Sequence, residues 1–284
     1  MQLYIYARSG HNFGLENIRR ASALCSMLES CEPILCSSDY RASTFAKAEL
    51  GVDKGVGVDV IGNMPNVMER GDMLIFDDSG EASQTMQSHM KEFCKHLYKV
   101  GVDIPYDIVD PCFFEHIDKT NEKAIFFADD DYGQWFFDFF QTSDKQDIPL
   151  IWGHYFFFKN EAKTAEYFSE VIEEEEYINT IKSTKYLLTA SVHCALESLA
   201  SGNSPVFFKR GDKEPQNLHL LAKYGIPIVD GTNMEELVKN FDEITKNYPK
   251  TNNIEKFDIT SIKDEITKTL EAFATIKPSL EYKF

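Results

Sequence analysis

Short runs of β-branched and aromatic residues recur along this chain, and nearly every one is followed by a stretch of helical periodicity. Strand, helix and strand at such short spacing imply parallel pairing through right-handed crossovers. In the first half the runs are "LYIYA" (3–7), "PILCSS" (33–38), "GVDVIG" (57–62), "DMLIFDD" (72–78) and "YDIVD" (106–110). Between them the pattern predicts helices over 15–30, 41–50 and 83–101, the first with Ile18, Ala21, Leu24, Cys25 and Leu28 on one face.

The chain turns polar around 115–123, and the alternation then restarts. Further strands are expected at 124–130, 149–158, 185–191, 205–209 and 226–230. Helices are expected over about 133–142, 162–180, 193–201, 215–225, 233–244 and 260–275. A chain of 284 residues is comfortable as two domains of roughly 100–150 each. The expectation is therefore an α/β protein with halves at 1–118 and 119–284, the final helix packing back on the first half. Two doubly wound sheets facing each other would place ligands in a cleft at the carboxyl ends of their strands.

Composition narrows the partners. The formal net charge of −17 disfavours nucleic acid and anionic lipid surfaces, although one small anionic ligand is still compatible with it. No run reaches the ~18–20 apolar residues of a membrane span, and the first residues lack the pattern of a secretory signal, so a cytoplasmic location is expected. The six cysteines show no zinc-like spacing and read as reduced, mainly buried thiols. "EVIEEEEY" (170–177) reads as a solvated helix face rather than a metal site. Neither G-x-x-x-x-G-K-[ST] nor a strand followed by G-x-G-x-x-G occurs, which argues against a kinase or a dehydrogenase.

Two loops draw attention. In "RSGHNFGLENIRR" (8–20), Gly10 and Gly14 permit close backbone approach to a ligand, and the following helix start suits an anion or a sugar oxygen. His11 is a candidate general base, and Glu16 and Asn17 could bond sugar hydroxyls. In "YLLTASVHCALESLASGNSPVFF" (186–208), small residues at Ala190 and Ser191 lead into a helix carrying Glu197. A diphosphate could rest on the amides near Ser191, Val192 and His193 while Glu197 accepts both ribose hydroxyls. Lys209 and Arg210, after the next strand, could meet a phosphate or be solvated charge.

These stretches carry a resemblance. "FGLENIRRASAL" resembles the amino-terminal motif of the UDP-sugar hydrolase of pseudaminic acid biosynthesis, a relative of MurG-type N-acetylglucosaminyltransferases. Gly14 matches that family's glycine and Ile18-Arg19-Arg20 its helix start, while Asn17 stands at the position of its water-activating histidine. Asparagine cannot accept a proton at neutral pH, which leaves His11 as a substitute base. Glu197, Leu199, Gly202 and Pro205, followed by Gln216 and Asn217 ahead of Gly225, resemble the donor-binding region of GT-B glycosyltransferases. The resemblance implies a GT-B-like fold of two Rossmann-like domains and a nucleotide-sugar ligand. It also implies glycosyl transfer or sugar-nucleotide hydrolysis in surface-glycan or flagellin-sugar biosynthesis. The alternative is a catalytically degenerate relative that binds a ligand or partner without turnover.

"FFADDDYGQW" (126–135) sits where that family has a glycine pair, then serine and aspartate. Asp131 matches the aspartate, and Ala128-Asp129 replaces the glycine pair. Clustered carboxylates there repel a diphosphate, so a divalent cation, a less anionic ligand or lost function are the open readings. No cofactor is otherwise expected. "IFDDSG" (75–80) adds Asp77 and Asp78, either as candidate bases alongside His11 and Asp131 or as a solvated loop with Ser79 capping a helix.

Overall fold

The computed structural model describes residues 1–131, 133–156 and 160–281. The chain divides into two compact units. The first comprises Met1–Gly10, Asn17–Asp110 and the chain from Phe257 on; the second comprises His11–Glu16 and Pro111–Lys256.

The first unit holds a five-stranded, all-parallel sheet of β1 (Leu3–Ala7), β2 (Ile34–Ser37), β3 (Gly55–Gly57), β4 (Met73–Asp77) and β5 (His96–Lys99). Its strand order is β3-β2-β1-β4-β5. Tyr4 pairs with Ile34 on one side and Leu74 on the other, so β1 is central. The helices of this unit are α1 (Glu16–Met27), buried continuously from Asn17 to Cys25, α2 (Tyr40–Glu49), α3 (Gln84–Phe93) and α10 (Thr260–Glu281). Asp39 caps α2 by accepting from Arg41 N at 3.1 Å. Ser83 caps α3 by accepting from Met86 N, so Ser79 is not the cap expected from the sequence. One core cluster collects Tyr6, Cys36, Ile61, Met64, Leu74 and Phe76, all buried.

The second unit holds a six-stranded parallel sheet of β6 (Asn121–Phe126), β7 (Leu150–Ile151), β8 (Val171–Ile172), β9 (Thr184–Thr189), β10 (Ser204–Phe208) and β11 (Ile228–Val229). Its order is β11-β10-β9-β6-β7-β8. Counted from β6, that is the 3-2-1-4-5-6 order of a doubly wound dinucleotide-binding sheet. The helices are α4 (Trp135–Phe140), α5 (Glu161–Thr164), α6 (Tyr177–Ser183), α7 (Val192–Ala200), α8 (His219–Tyr224) and α9 (Met234–Lys246). Phenylalanine fills this core: the Phe127 and Phe136 rings stack at 4.0 Å between centroids, and Phe140, Phe168 and Phe208 are buried beside them. The α/β class read from the alternation is therefore what the chain adopts, twice.

Several elements differ from expectation. The helix expected over 83–101 ends at Phe93, and His96–Lys99 is instead the edge strand β5. "HLYK" serves either period, and pairing with β4 decides the outcome. "YDIVD" forms no strand, and of "GVDVIG" only Gly57 belongs to β3, while Ile61 and Gly62 open a 3-10 turn. The acidic helix expected over 162–180 breaks into α5, β8, a 3-10 turn at Glu174–Glu176 and α6. Four consecutive glutamates repel one another, while Val171 and Ile172 extend the sheet. The strand expected over 149–158 is only Leu150–Ile151, and residues 157 and 158 lie outside the described residues. No helix among the described residues is long and apolar enough to cross a membrane.

Candidate functional site

Doubly wound sheets bind ligands where the direction of winding reverses, at the carboxyl ends of the strands flanking that point. In the first unit the reversal lies between β1 and β4, and in the second between β6 and β9. Gly10, Asn17 and Asp77 belong to the first unit; His11, Gly14, Asp131, Ser191, Val192, His193, Glu197, Gln216 and Asn217 belong to the second.

In the first unit, Asn17 spends both ends of its amide. Its Nδ2 donates to Arg8 O at 3.0 Å and to Ser79 Oγ at 2.7 Å, and its Oδ1 accepts from Arg20 Nη2 at 2.5 Å. Arg20 also donates from Nε to Asp77 Oδ2 at 2.8 Å, with both side chains buried. Its guanidinium lies 5.5 Å from the centroid of the Tyr106 ring. Asp78 accepts from the Gly80 and Ala82 amides, folding the turn after β4. Neither Asp77 nor Asp78 is a solvated loop carboxylate: each is 3% exposed. Asp77 is an ion-paired anchor, and Asn17 is a clamp between the loops after β1 and β4. Gly10 takes φ +130°, a conformation open to glycine, and a Cβ there would meet nothing within 4 Å.

In the second unit, three loops converge on the carboxyl ends of β6, β9 and β10. After β6, each of three aspartates has its own task. Asp129 Oδ2 accepts from Leu15 N at 3.3 Å. Asp130 receives Arg210 Nη1 at 3.2 Å and Lys213 Nζ at 2.6 Å. Asp131 closes the amino end of α4, accepting from Phe136 N at 2.9 Å and Phe137 N at 3.1 Å. Burial pushes the Asp131 carboxyl up from 3.8 to about 6, against those two amide bonds and Arg210. Arg210 is itself buried, chelated by Asp212 at its other edge and laid over the Phe127 ring. Its positive charge is thus neutralised within the fold, and Lys209 pairs with Glu214 on the surface.

After β9, Ser191 caps α7, its Oγ accepting from Cys194 N at 3.1 Å. The same hydroxyl donates to Glu16 Oε1 at 2.6 Å, so a carboxylate of the loop after β1 sits at the amino end of α7. Gly14 takes φ +71° beside the acidic loop, and a Cβ there would lie 3.4 Å from Asp130 Oδ1. His11 is exposed on that loop. Glu197 is not at a helix start: it is the sixth residue of α7 and 2% exposed. Its Oε2 accepts from the Tyr177 hydroxyl at 2.5 Å, and its Oε1 lies 3.4 Å from His193 Nε2. Gln216 is exposed, and Asn217 takes φ +59° just before α8.

Sequence reasoning missed the partners that complete these sites. Arg20 reads as a surface or packing residue from its spacing, yet it is among the largest fully buried side chains. Tyr177 lies inside what reads as a solvated acidic helix. His154, whose Nδ1 is 2.7 Å from Glu174 Oε2, sits in what reads as a continuous strand. Only the excess of carboxylates over nearby basic residues in "ADDDYG" hinted that remote cations must return to this loop. Among the described residues, no group of three or more His, Cys, Asp or Glu side chains is arranged to hold a metal ion.

No protein-family model matches this chain, and no curated protein does either. Among solved structures, it is similar to the E. coli heptosyltransferase WaaC with ADP at 12% identity. That match covers 87% of this chain and 98% of the other, with a TM-score of 0.46. A putative UDP-N-acetylglucosamine 2-epimerase from Listeria monocytogenes is similar at 11% identity, over 87% of this chain and 89% of the other, with a TM-score of 0.49. A glycosyl transferase family 9 structure from Veillonella parvula is similar at 9% identity, over 95% of this chain and 96% of the other, with a TM-score of 0.42. Likenesses at this level assign no activity.

Proposed function

We propose that the second unit seats a nucleotide-activated sugar at the point where its sheet reverses, for glycosyl transfer or sugar-nucleotide hydrolysis. The observation that carries this reading is the 3-2-1-4-5-6 strand order, which opens the amino end of α7 between the loops after β6 and β10. Ser191 N is bonded to Thr189 Oγ1 and Cys194 N to Ser191 Oγ, so a diphosphate would rest on the amides of Val192 and His193. The Glu16 carboxylate already bonded to Ser191 is the local obstacle, because a phosphate must displace it or coexist with it. His11, exposed on the loop after β1, is the candidate base in this reading. A role in surface-glycan or flagellin-sugar biosynthesis is part of the same proposal.

A second reading has its own support. Asn17, Asp77, Asp131 and Glu197 are all engaged inside the fold, which fits a relative that binds without turnover. Calorimetry with UDP, ADP, CMP and their sugar conjugates separates the two. The enzymatic reading expects binding of one nucleotide sugar and release of its nucleotide over time. Glu16→Gln is expected to tighten that binding about three- to tenfold by removing one negative charge from the seat. Binding without release supports the second reading. No heat with any of the panel ends the first.

A further inference from the structure

Donor capacity at the amino end of α7 sets how many phosphate groups can be held there. Thr189 Oγ1 takes the Ser191 amide and Ser191 Oγ takes the Cys194 amide, each at 3.1 Å. That leaves the amides of Val192 and His193 as the two of this first turn with no acceptor among the described residues. Two adjacent amides grip the oxygens of one phosphate group. A second group needs donors of its own or a cation.

The cations nearby are already committed. The segments that meet here, 11–16, 127–134, 190–193 and 209–218, carry six carboxyl groups against three lysine and arginine side chains. Lys209 pairs with Glu214 at 3.0 Å, Arg210 is shared by Asp130 and Asp212, and Lys213 pairs with Asp130 at 2.6 Å. The acidic loop also runs beside the start of α7. Ala190 N donates to Phe127 O at 2.8 Å, so the loop after β6 and the turn into α7 leave adjacent strands together. Three consecutive residues then thread between them. A Cβ on Gly14 would lie 3.4 Å from Asp130 Oδ1, Leu15 N donates to Asp129 Oδ2 at 3.3 Å, and Glu16 Oε1 accepts from Ser191 Oγ at 2.6 Å. A second phosphate would meet like charge on this side.

Resting on the nucleotide-sugar reading of this seat, we infer that it takes a sugar joined to its nucleoside through a single phosphate and discriminates against the diphosphate-linked class. One phosphate sits on the Val192 and His193 amides. The place of a second is held by the fold's own carboxylates. Asp130 carries most of the discrimination, because it occupies both Arg210 and Lys213, the cations after β10 that a second phosphate would require.

Calorimetry of the full chain in metal-free buffer tests this with matched pairs: UMP against UDP, CMP against CDP, AMP against ADP and GMP against GDP. For the base that binds, the diphosphate is expected to bind about three- to tenfold more weakly than the monophosphate. A diphosphate that binds more tightly, with or without added Mg²⁺, overturns the single-phosphate assignment and leaves the nucleotide-sugar reading standing. Heat from none of the eight ends that reading and this inference with it. Asp130→Asn removes the charge that holds Lys213 and is expected to bring the pair to parity or reverse its order. A ratio unchanged in that variant overturns the role of Asp130. Should Asp130→Asn fail to fold by circular dichroism, Glu16→Gln takes its place: it removes one charge beside Ser191 and is expected to narrow the ratio about twofold or more. An unmoved ratio there overturns the claim that carboxylates exclude the second phosphate.

Discussion

Buried acids in this chain fall into two kinds, and the partner each one finds decides which. Asp77 faces the Arg20 guanidinium and anchors it. Asp131 faces two amides in an apolar setting, and burial dominates, raising its carboxyl to about 6. The folded chain therefore holds the Asp131 proton over a range where the unfolded chain has released it. Its contribution to stability falls as pH rises from about 4 to about 6, by up to ~2 kcal/mol. Asp131→Asn removes the ionisation and keeps an acceptor for one of the two amides, since Phe136 N bonds Oδ1 and Phe137 N bonds Oδ2. Urea unfolding at several pH values is expected to show that fall flattened in the variant. An unchanged pH slope would falsify the assignment. The roles of Asn17 and Glu197 were illegible in sequence for one physical reason. Spacing places a polar side chain on a face but does not tell whether an arginine or a tyrosine from elsewhere has claimed it.

At the scale of elements, strands and helices with a full buried stripe were legible: β1, β2, β4, β9, β10 and α1, α2, α7 and α9 begin and end within a few residues of expectation. The errors gather where local preference is balanced. His96–Lys99 satisfies both periods, and only the open edge of β4 resolves it. Ends of helices were readable where a backbone conformation demands a residue. Gly225 closes α8 at φ +71°, donating to the Leu221 and Ala222 carbonyls. A Cβ there would lie 3.3 Å from Lys250 O. Gly225→Ala is expected to cost about 1–2 kcal/mol in thermal or urea unfolding, with helix content unchanged. A variant as stable as the parent would show that α8 ends for another reason.

At the scale of the whole molecule, the alternation of apolar runs predicted two parallel sheets, and both strand orders obey the doubly wound rule. What it did not convey is that the loop after the first strand belongs with the second unit. Residues 11–16 belong to the second unit although they follow the first strand, and the stretch from Phe257 on, including α10, belongs to the first. The chain thus passes between units at 10/11, 16/17, 110/111 and 256/257. Leu15 and Ile266, one in each displaced segment, are fully buried.

Inheritance by recombination is constrained accordingly. A gene segment encoding 111–256, moved into a distant relative, leaves behind the six residues that supply Leu15 to Asp129 and Glu16 to Ser191. Chimeras that exchange 11–16 together with 111–256 are expected to stay soluble and keep a sharp thermal transition, while those exchanging 111–256 alone lose it. Over evolutionary time, then, the loop after the first strand should travel with the second half of the gene and not with its immediate neighbours.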